Sequence, residues 1–159
     1  MSTKRPVPNP YADSERYHCF GCDPRSSVGL RMSFTVEGEA LHSTWEPRQE
    51  LEGYPGVIHG GIQATLADEM GGWFLHALRG TAGVTRDLSI VYSAPANTEN
   101  GPFHLVAVAS EESEKEVTMT VTISGADGTL FSTATVRYAK FSEAVARRRL
   151  NFPGGEAFR

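Results

Sequence analysis

The chain has 159 residues with a formal net charge of −4, and 40% of its residues are hydrophobic. This length suits one domain with a substantial core and is short for two. The negative charge argues against a nucleic-acid partner, because proteins that bind nucleic acids display basic surfaces. No run approaches the ~20 apolar residues that span a bilayer, so we expect no membrane association and a cytoplasmic location.

The N-terminal residues 1–25 are rich in proline, which predicts an irregular arm lying over the domain. Two cysteines, Cys19 and Cys22 in "HCFGC", are too few to build a disulfide scaffold. Together with His18 they invite a zinc interpretation. A structural zinc site needs four ligands, and the sequence offers no second cluster. We therefore predict that the protein holds no metal.

The predicted domain, residues 26–142, opens with two strands. Apolar residues alternate with polar ones in "VGLRMSFTVEG", which is typical of a half-buried strand. The alternating apolar residues are Leu30, Met32, Phe34 and Val36. Gly38 predicts a turn into a second strand, "EALHSTWEP". One long helix then follows over about residues 60–78, and Gly80 ends it.

Four further strands follow the helix, in "VTRDLSIVYSAPA", "FHLVAVASEES", "EVTMTVTISG" and "TLFSTATVRYAKF". The tail, residues 143–159, combines a short helical pattern with proline and glycine, and we expect it to be partly mobile. The element order predicts an α+β fold in which an antiparallel sheet wraps around one long helix. Only the sheet offers enough apolar surface to cover that helix.

Two neighbouring acids, Asp68 and Glu69, lie inside the otherwise mostly apolar and small-residue helix. The residues one turn from Asp68 are small: Ala64, Thr65, Gly71 and Gly72. Glycine inside a helix lowers helix stability by about 1 kcal/mol relative to alanine. Two glycines there therefore indicate that another backbone or a ligand approaches closely. We expect Asp68 to be a general base, although most helical aspartates are solvated surface residues. Glu69 is rotated by about 100° and should point elsewhere.

The helix begins at "HGG", residues 59–61, where we expect no side chain to shield the first amides. Free N–H groups at a helix start can bind a developing oxyanion, although glycine after a turn is also common at helix starts. Gly61 and Asp68 lie seven residues apart, about 10 Å along a helix axis. One copy cannot use both on one atom, so we predict a dimer in which each site combines Gly61 of one copy with Asp68 of the other.

Three segments resemble hotdog-fold acyl-CoA thioesterases, in particular the phenylacetic-acid-pathway and THEM-type branch. They are "GVIHGGIQATLADEMGG", "VTRDLSIVYSAPA" and "CFGCDPRSSVGLRMSF", and the resemblance runs from Cys19 to about Lys140. It implies a curved sheet around the central helix, a homodimer that can pair into a tetramer, and hydrolysis of an acyl-CoA thioester. Coenzyme A would be part of the substrate, and no separate cofactor is implied.

Residue by residue, the resemblance implies that Asp68 activates water or attacks the carbonyl and that Gly61 donates to the oxyanion. His59 matches the histidine that orients the thioester. Thr85 approximates, across a one-residue gap, a hydroxyl that lies near the attacking water.

We also expect Gly60, Val84 and Arg86 to contact the substrate, with Arg86 a candidate for the coenzyme A phosphates and simple solvation as its alternative. Two other functions remain open on the same fold. One is a non-hydrolytic acyl-CoA binder or sensor, and the other is a hydratase or dehydratase.

Overall fold

A computed structural model describes residues 3–159, which form a seven-stranded sheet and one long helix. The strands are β1 (Arg5–Val7), β2 (Phe34–Glu37), β3 (Ala40–Trp45), β4 (Gly83–Tyr92), β5 (Phe103–Glu112), β6 (Glu116–Ser124) and β7 (Leu130–Lys140). Their order in the sheet is β1-β2-β3-β5-β6-β7-β4, and every pairing is antiparallel. The α+β architecture is the one that the element order predicted.

The central helix α1 (Gly60–Phe74) continues into a π-helical turn, Leu75–Arg79. Gly80 ends it in the left-handed conformation, with φ of 64°, as predicted. Leu66, Met70 and Phe74 are fully buried, so this face of α1 packs into the sheet. The buried alternate residues of β5 and β6 supply much of the surface that covers the helix.

The first predicted strand is shorter than expected, because only residues 34–37 pair in the sheet. The backbone N–H groups of Leu30 and Met32 instead donate to the carbonyls of Phe20 and Gly21. The alternation was correct for burial, since Leu30, Met32, Phe34 and Val36 are all buried. The segment before β2 is therefore tied to the loop that carries the two cysteines.

The N-terminal arm contains a regular element that the prolines had excluded. Strand β1 pairs with β2 at the edge of the sheet, and Pro6 lies in it. Proline is tolerated on an edge strand, where the missing N–H group can face away from the sheet. Residues 1 and 2 of the predicted arm lie outside the described residues.

The tail packs onto the domain through helix α2 (Glu143–Leu150) and a final 3-10 turn, Gly155–Phe158. Phe152 and Phe158 are buried, and the ring of His76 stacks on both. The predicted boundaries 1–25, 26–142 and 143–159 stay predictions, but both flanking segments contribute residues to the common core. Within residues 3–159 no helix has the length and hydrophobicity needed to cross a bilayer.

Candidate active site

The start of α1 is capped by the side chain that precedes it. His59 is the N-cap, and its Nδ1 accepts a hydrogen bond of 2.9 Å from the backbone N–H of Gly61. The hydroxyl of Tyr92, at the end of β4, donates to the carbonyl of Gly60 at 2.7 Å. The expectation of unshielded amides was therefore wrong for Gly61, because its N–H already donates to the imidazole ring of His59.

Asp68 lies in the middle of α1 and binds two hydroxyl groups of its own chain. Thr85 Oγ1 donates to Asp68 Oδ1 at 2.7 Å, and the Tyr138 hydroxyl lies 3.0 Å from the same oxygen. The Tyr138 hydroxyl also donates to the backbone carbonyl of Asp68 at 2.8 Å. Asp68 is partly exposed, so its carboxylate is both held in position and accessible.

The sheet register explains why these two hydroxyls converge. Thr85 on β4 is directly paired with Tyr138 on β7, so both side chains project from the same face of the sheet. A Cβ atom at Gly71 would lie 2.6 Å from Cε2 of Tyr138. The close approach that the helical glycine predicted is thus made by an aromatic ring of the same chain.

Tyr138 was not among the residues that the sequence analysis predicted for the site, whereas Thr85 was. Its strand alternates regularly, and Tyr138 has the pattern of an ordinary buried residue. No local signal distinguishes a tyrosine that reaches a helical carboxylate 70 residues away from one that only packs. The pairing of β4 with β7 makes the difference.

The other predicted substrate contacts lie along β4. Val84 is exposed, and Arg86 is exposed with its Nη1 3.7 Å from an oxygen of Glu116. The register of β4 shifts between Thr85 and Asp87, so Arg86 is the extra residue of a bulge. Arg86 therefore follows Thr85 directly in the chain, while its guanidinium lies near Glu116.

Glu69 points away from this group, as its rotation on the helix predicted. Its Oε1 accepts from Trp73 Nε1 at 3.2 Å and from the Cys19 thiol at 3.3 Å. Burial raises the pKa of Glu69 to about 8, because desolvation disfavours the carboxylate. The two neighbouring acids therefore face different surroundings on different sides of α1.

A cavity of about 750 Å³ opens at the N-terminal end of α1. Its wall combines that helix start with the loop before it and the segment that follows β4, including His59, Gly60, Gln63 and Tyr92. Gln63 is buried, and its Oε1 accepts a hydrogen bond from Ser132 at 2.8 Å. The cavity is large enough for a small organic group next to the predicted oxyanion donor.

Strand β4 is the outermost strand at its end of the sheet, since β7 is its neighbour on one side and no strand of residues 3–159 pairs on the other. It is ten residues long and mostly exposed, and its exposed residues include Val84, Val91 and Tyr92. A long, exposed edge strand is a surface on which another strand can pair. This edge carries Thr85 and borders Asp68.

An antiparallel sheet wrapped around one central helix defines the hotdog class of folds, and in this chain an acid lies two turns beyond the His-Gly-Gly start of that helix. A sequence model of the thioesterase superfamily matches residues 55–132, which span α1 and β4. No curated protein matches the chain in sequence.

Three solved structures illustrate the likeness. The chain is 17% identical to a thioesterase from Haemophilus influenzae, with a TM-score of 0.63 over 71% of this chain and 80% of that one. The chain is 14% identical to the Escherichia coli PaaI protein of the phenylacetic acid degradation operon, with a TM-score of 0.63 over 72% of this chain and 82% of that one. The third structure is a hypothetical thioesterase protein from Streptococcus pneumoniae TIGR4, solved with coenzyme A. It is 23% identical, with a TM-score of 0.59 over 66% of this chain and 80% of that one.

The TM-scores of these structures show a common fold. Residues 55–132 match the thioesterase superfamily, and the class of protein that this match indicates is that of the thioester hydrolases.

Proposed function

We propose that the protein hydrolyses an acyl-CoA thioester to the free acid and coenzyme A, at two equivalent sites between two copies of the chain. The substrate carbonyl accepts from the Gly61 N–H of one copy, and Asp68 of the other drives water onto it or attacks it directly. The observation that carries this proposal is the hydrogen bonding of Asp68, whose carboxylate is held by Thr85 and Tyr138 beside an open sheet edge.

The edge of β4 supports the dimer. A second copy that pairs antiparallel along β4 would cover its exposed apolar residues and bring the second α1 alongside the first. Asp68 would then lie opposite the helix start of the other copy. A pairing of two such dimers into a tetramer would leave this arrangement unchanged.

In the structure the His59 ring blocks the proposed oxyanion donor, as it would before substrate binds. Its Nδ1 occupies the Gly61 N–H, so the ring must turn away before a carbonyl can bind there. His59 and Gly60 border the large cavity, which supports binding of the acyl group or part of coenzyme A in that space. Exposed Val84 and Arg86 lie on the same edge, where Arg86 can meet a phosphate.

The streptococcal relative was solved with coenzyme A, which supports a coenzyme A ester as the substrate. Hydrolysis by this set of residues uses an acid, an amide and water, and we propose that it needs no cofactor. Cys19 and Cys22 are both free thiols, which suits the reducing cytoplasm in which we place the protein.

A non-hydrolytic acyl-CoA binder or sensor is the second candidate. The occupied Gly61 amide favours it, because a ring that stays in place would leave substrate bound without an oxyanion donor.

A thiol-release assay over a panel of short, long and aromatic acyl-CoA esters distinguishes the two candidates. We expect release from at least one ester, and we expect Asp68→Asn to lower turnover by about a hundredfold or more, as the loss of a general base does. Glu69→Gln is the matched control, since it removes the neighbouring acid that faces away, and it should lower turnover far less. Measurable binding without hydrolysis of any ester would favour the sensor. A larger loss of turnover in Glu69→Gln than in Asp68→Asn would mean that Asp68 is not the catalytic acid.

A further inference from the structure

Three side chains of types that can bind metal ions meet on the side of α1 to which Glu69 points. The Cys19 and Cys22 sulfurs are 3.2 Å apart, and the Cys19 sulfur is 3.3 Å from Glu69 Oε1. All three ligand atoms lie within 4.8 Å of one another. Glu69 is 50 residues from Cys19 in sequence, so the folded chain creates this group, which we call the Cys-Cys-Glu cluster.

The loop that carries the cysteines is shaped to lie on Glu69. The Asp23 N–H donates to the Cys19 carbonyl, which closes a turn around Gly21. Any side chain at Gly21 would collide with the Glu69 carboxylate, so the loop backbone lies directly on that group. Tyr17 fixes the second sulfur, with its hydroxyl 2.6 Å from Cys22 Sγ.

We propose that the Cys-Cys-Glu cluster binds one Zn²⁺ ion through two thiolates and one carboxylate oxygen, with water as the fourth ligand. Tetrahedral zinc with ordinary bond lengths separates its ligand atoms by roughly 3.5–3.8 Å. The sulfur–sulfur separation of 3.2 Å is about half an ångström below the upper value, and the sulfur–oxygen separation of 3.3 Å is about 0.2 Å below the lower one, so outward movement of the side chains by these amounts admits the ion. Binding releases the thiol and carboxyl protons to solvent.

The chemistry of the cluster favours zinc over harder cations. Thiolates select zinc and other soft metals, whereas Mg²⁺ and Ca²⁺ require oxygen ligands. Two thiolates and a carboxylate would carry three negative charges, and within residues 3–159 no lysine or arginine forms an ion pair with Glu69. A dication offsets two of these three charges.

The fourth position has room for water. A cavity of about 360 Å³ borders all three ligands and also Trp73 and Tyr138. Zinc there would pin the loop of residues 19–22 onto α1, next to the turn that holds the proposed catalytic acid. It would act on stability, because binding to the folded chain alone shifts the folding equilibrium. The site is separate from the thioester, and the proposed hydrolysis can fail without affecting it.

The test uses the full chain without an affinity tag, reduced and stripped of metal with a chelator. Zn²⁺ is titrated in competition with a chromophoric chelator, and Co²⁺ is titrated as a spectroscopic probe. We expect one Zn²⁺ per chain, a rise in melting temperature, and thiolate-to-cobalt charge-transfer absorption. Each of Cys19→Ser, Cys22→Ser and Glu69→Gln should weaken Zn²⁺ binding by about a hundredfold or more, the share of one ligand in a zinc site. Glu50→Gln removes an exposed acid that pairs with Arg48, and it should bind as the wild type does.

Several results would overturn the proposal. Wild-type protein that yields all its Zn²⁺ to the chelator, or cysteine variants that bind normally, would exclude this site. Cobalt binding without the charge-transfer band would place the metal on other ligands, and this wild-type spectrum decides even if a variant fails to fold. Reduced protein that binds no zinc, while the aerobic protein has lost its titratable thiols, would make the cysteines a disulfide pair instead.

Discussion

The hydrogen bond between Thr85 and Asp68 allows a direct test of the proposed chemistry. Thr85→Val removes the hydroxyl that donates to Asp68 Oδ1 at 2.7 Å and keeps the size and the β-branching of the side chain. Because Val is favourable in strands, β4 should form normally in the variant. The perturbation is therefore confined to the carboxylate.

The expected magnitude follows from the geometry. Hydrogen bonds to charged groups contribute about 1.5–3 kcal/mol, and we take the lower end because Thr85 is exposed and Tyr138 still binds the same oxygen. A loss of about 1.5 kcal/mol in transition-state stabilisation corresponds to roughly a tenfold decrease in kcat/KM. Thr85→Ser keeps the hydroxyl and should retain most of the activity.

The assay is thiol release at saturating and limiting substrate, with circular dichroism and thermal melting to verify folding. A decrease in Thr85→Val that Thr85→Ser does not share would support a role for the hydroxyl in positioning the acid or the water. Equal activity in wild type and Thr85→Val would refute the reasoning, because the short contact would then have no effect on the reaction. Equal losses in both variants would indicate packing rather than hydrogen bonding.

Three further predictions address the dimer, pH dependence and the tail. Heterodimers that combine Asp68→Asn with Gly61→Pro, purified through two different tags, should recover about half of the wild-type activity, because one of the two sites is intact. If they are as inactive as either parent, each site lies within one chain. Burial lowers the pKa of His76, so the unfolded chain binds more protons as pH falls through 6.5 and the folded state loses stability there. Urea denaturation at pH 7, 6 and 5 should show a smaller loss in His76→Phe than in wild type, and equal losses would mean that His76 does not carry the effect. Phe158→Ala empties a fully buried position and should lower the free energy of unfolding by about 3–5 kcal/mol, whereas a change near zero would show that the tail does not pack in solution.

The candidate site was only partly predictable. The spacing of Gly61 and Asp68 on one helix was visible in the sequence, because helical rise is fixed by local backbone geometry. Thr85 could be assigned only by resemblance, and the structure brings its hydroxyl to the carboxylate. The His59 cap was misjudged, since the direction of a side chain at a helix start depends on its rotamer and on neighbouring groups.

The sequence by itself determined the order and type of the elements from β2 to α2, the ends of α1 and which faces are buried, whereas it missed β1. These features follow from periodicity, glycine and proline, which act through near neighbours in the chain. Only the tertiary structure decided which side chains meet. Tyr138 reaches Asp68 through the pairing of β4 with β7, and Cys19 reaches Glu69 through a loop folded over the helix. Both contacts join residues at least 50 positions apart, and they depend on strand register and chain path, which no local pattern specifies.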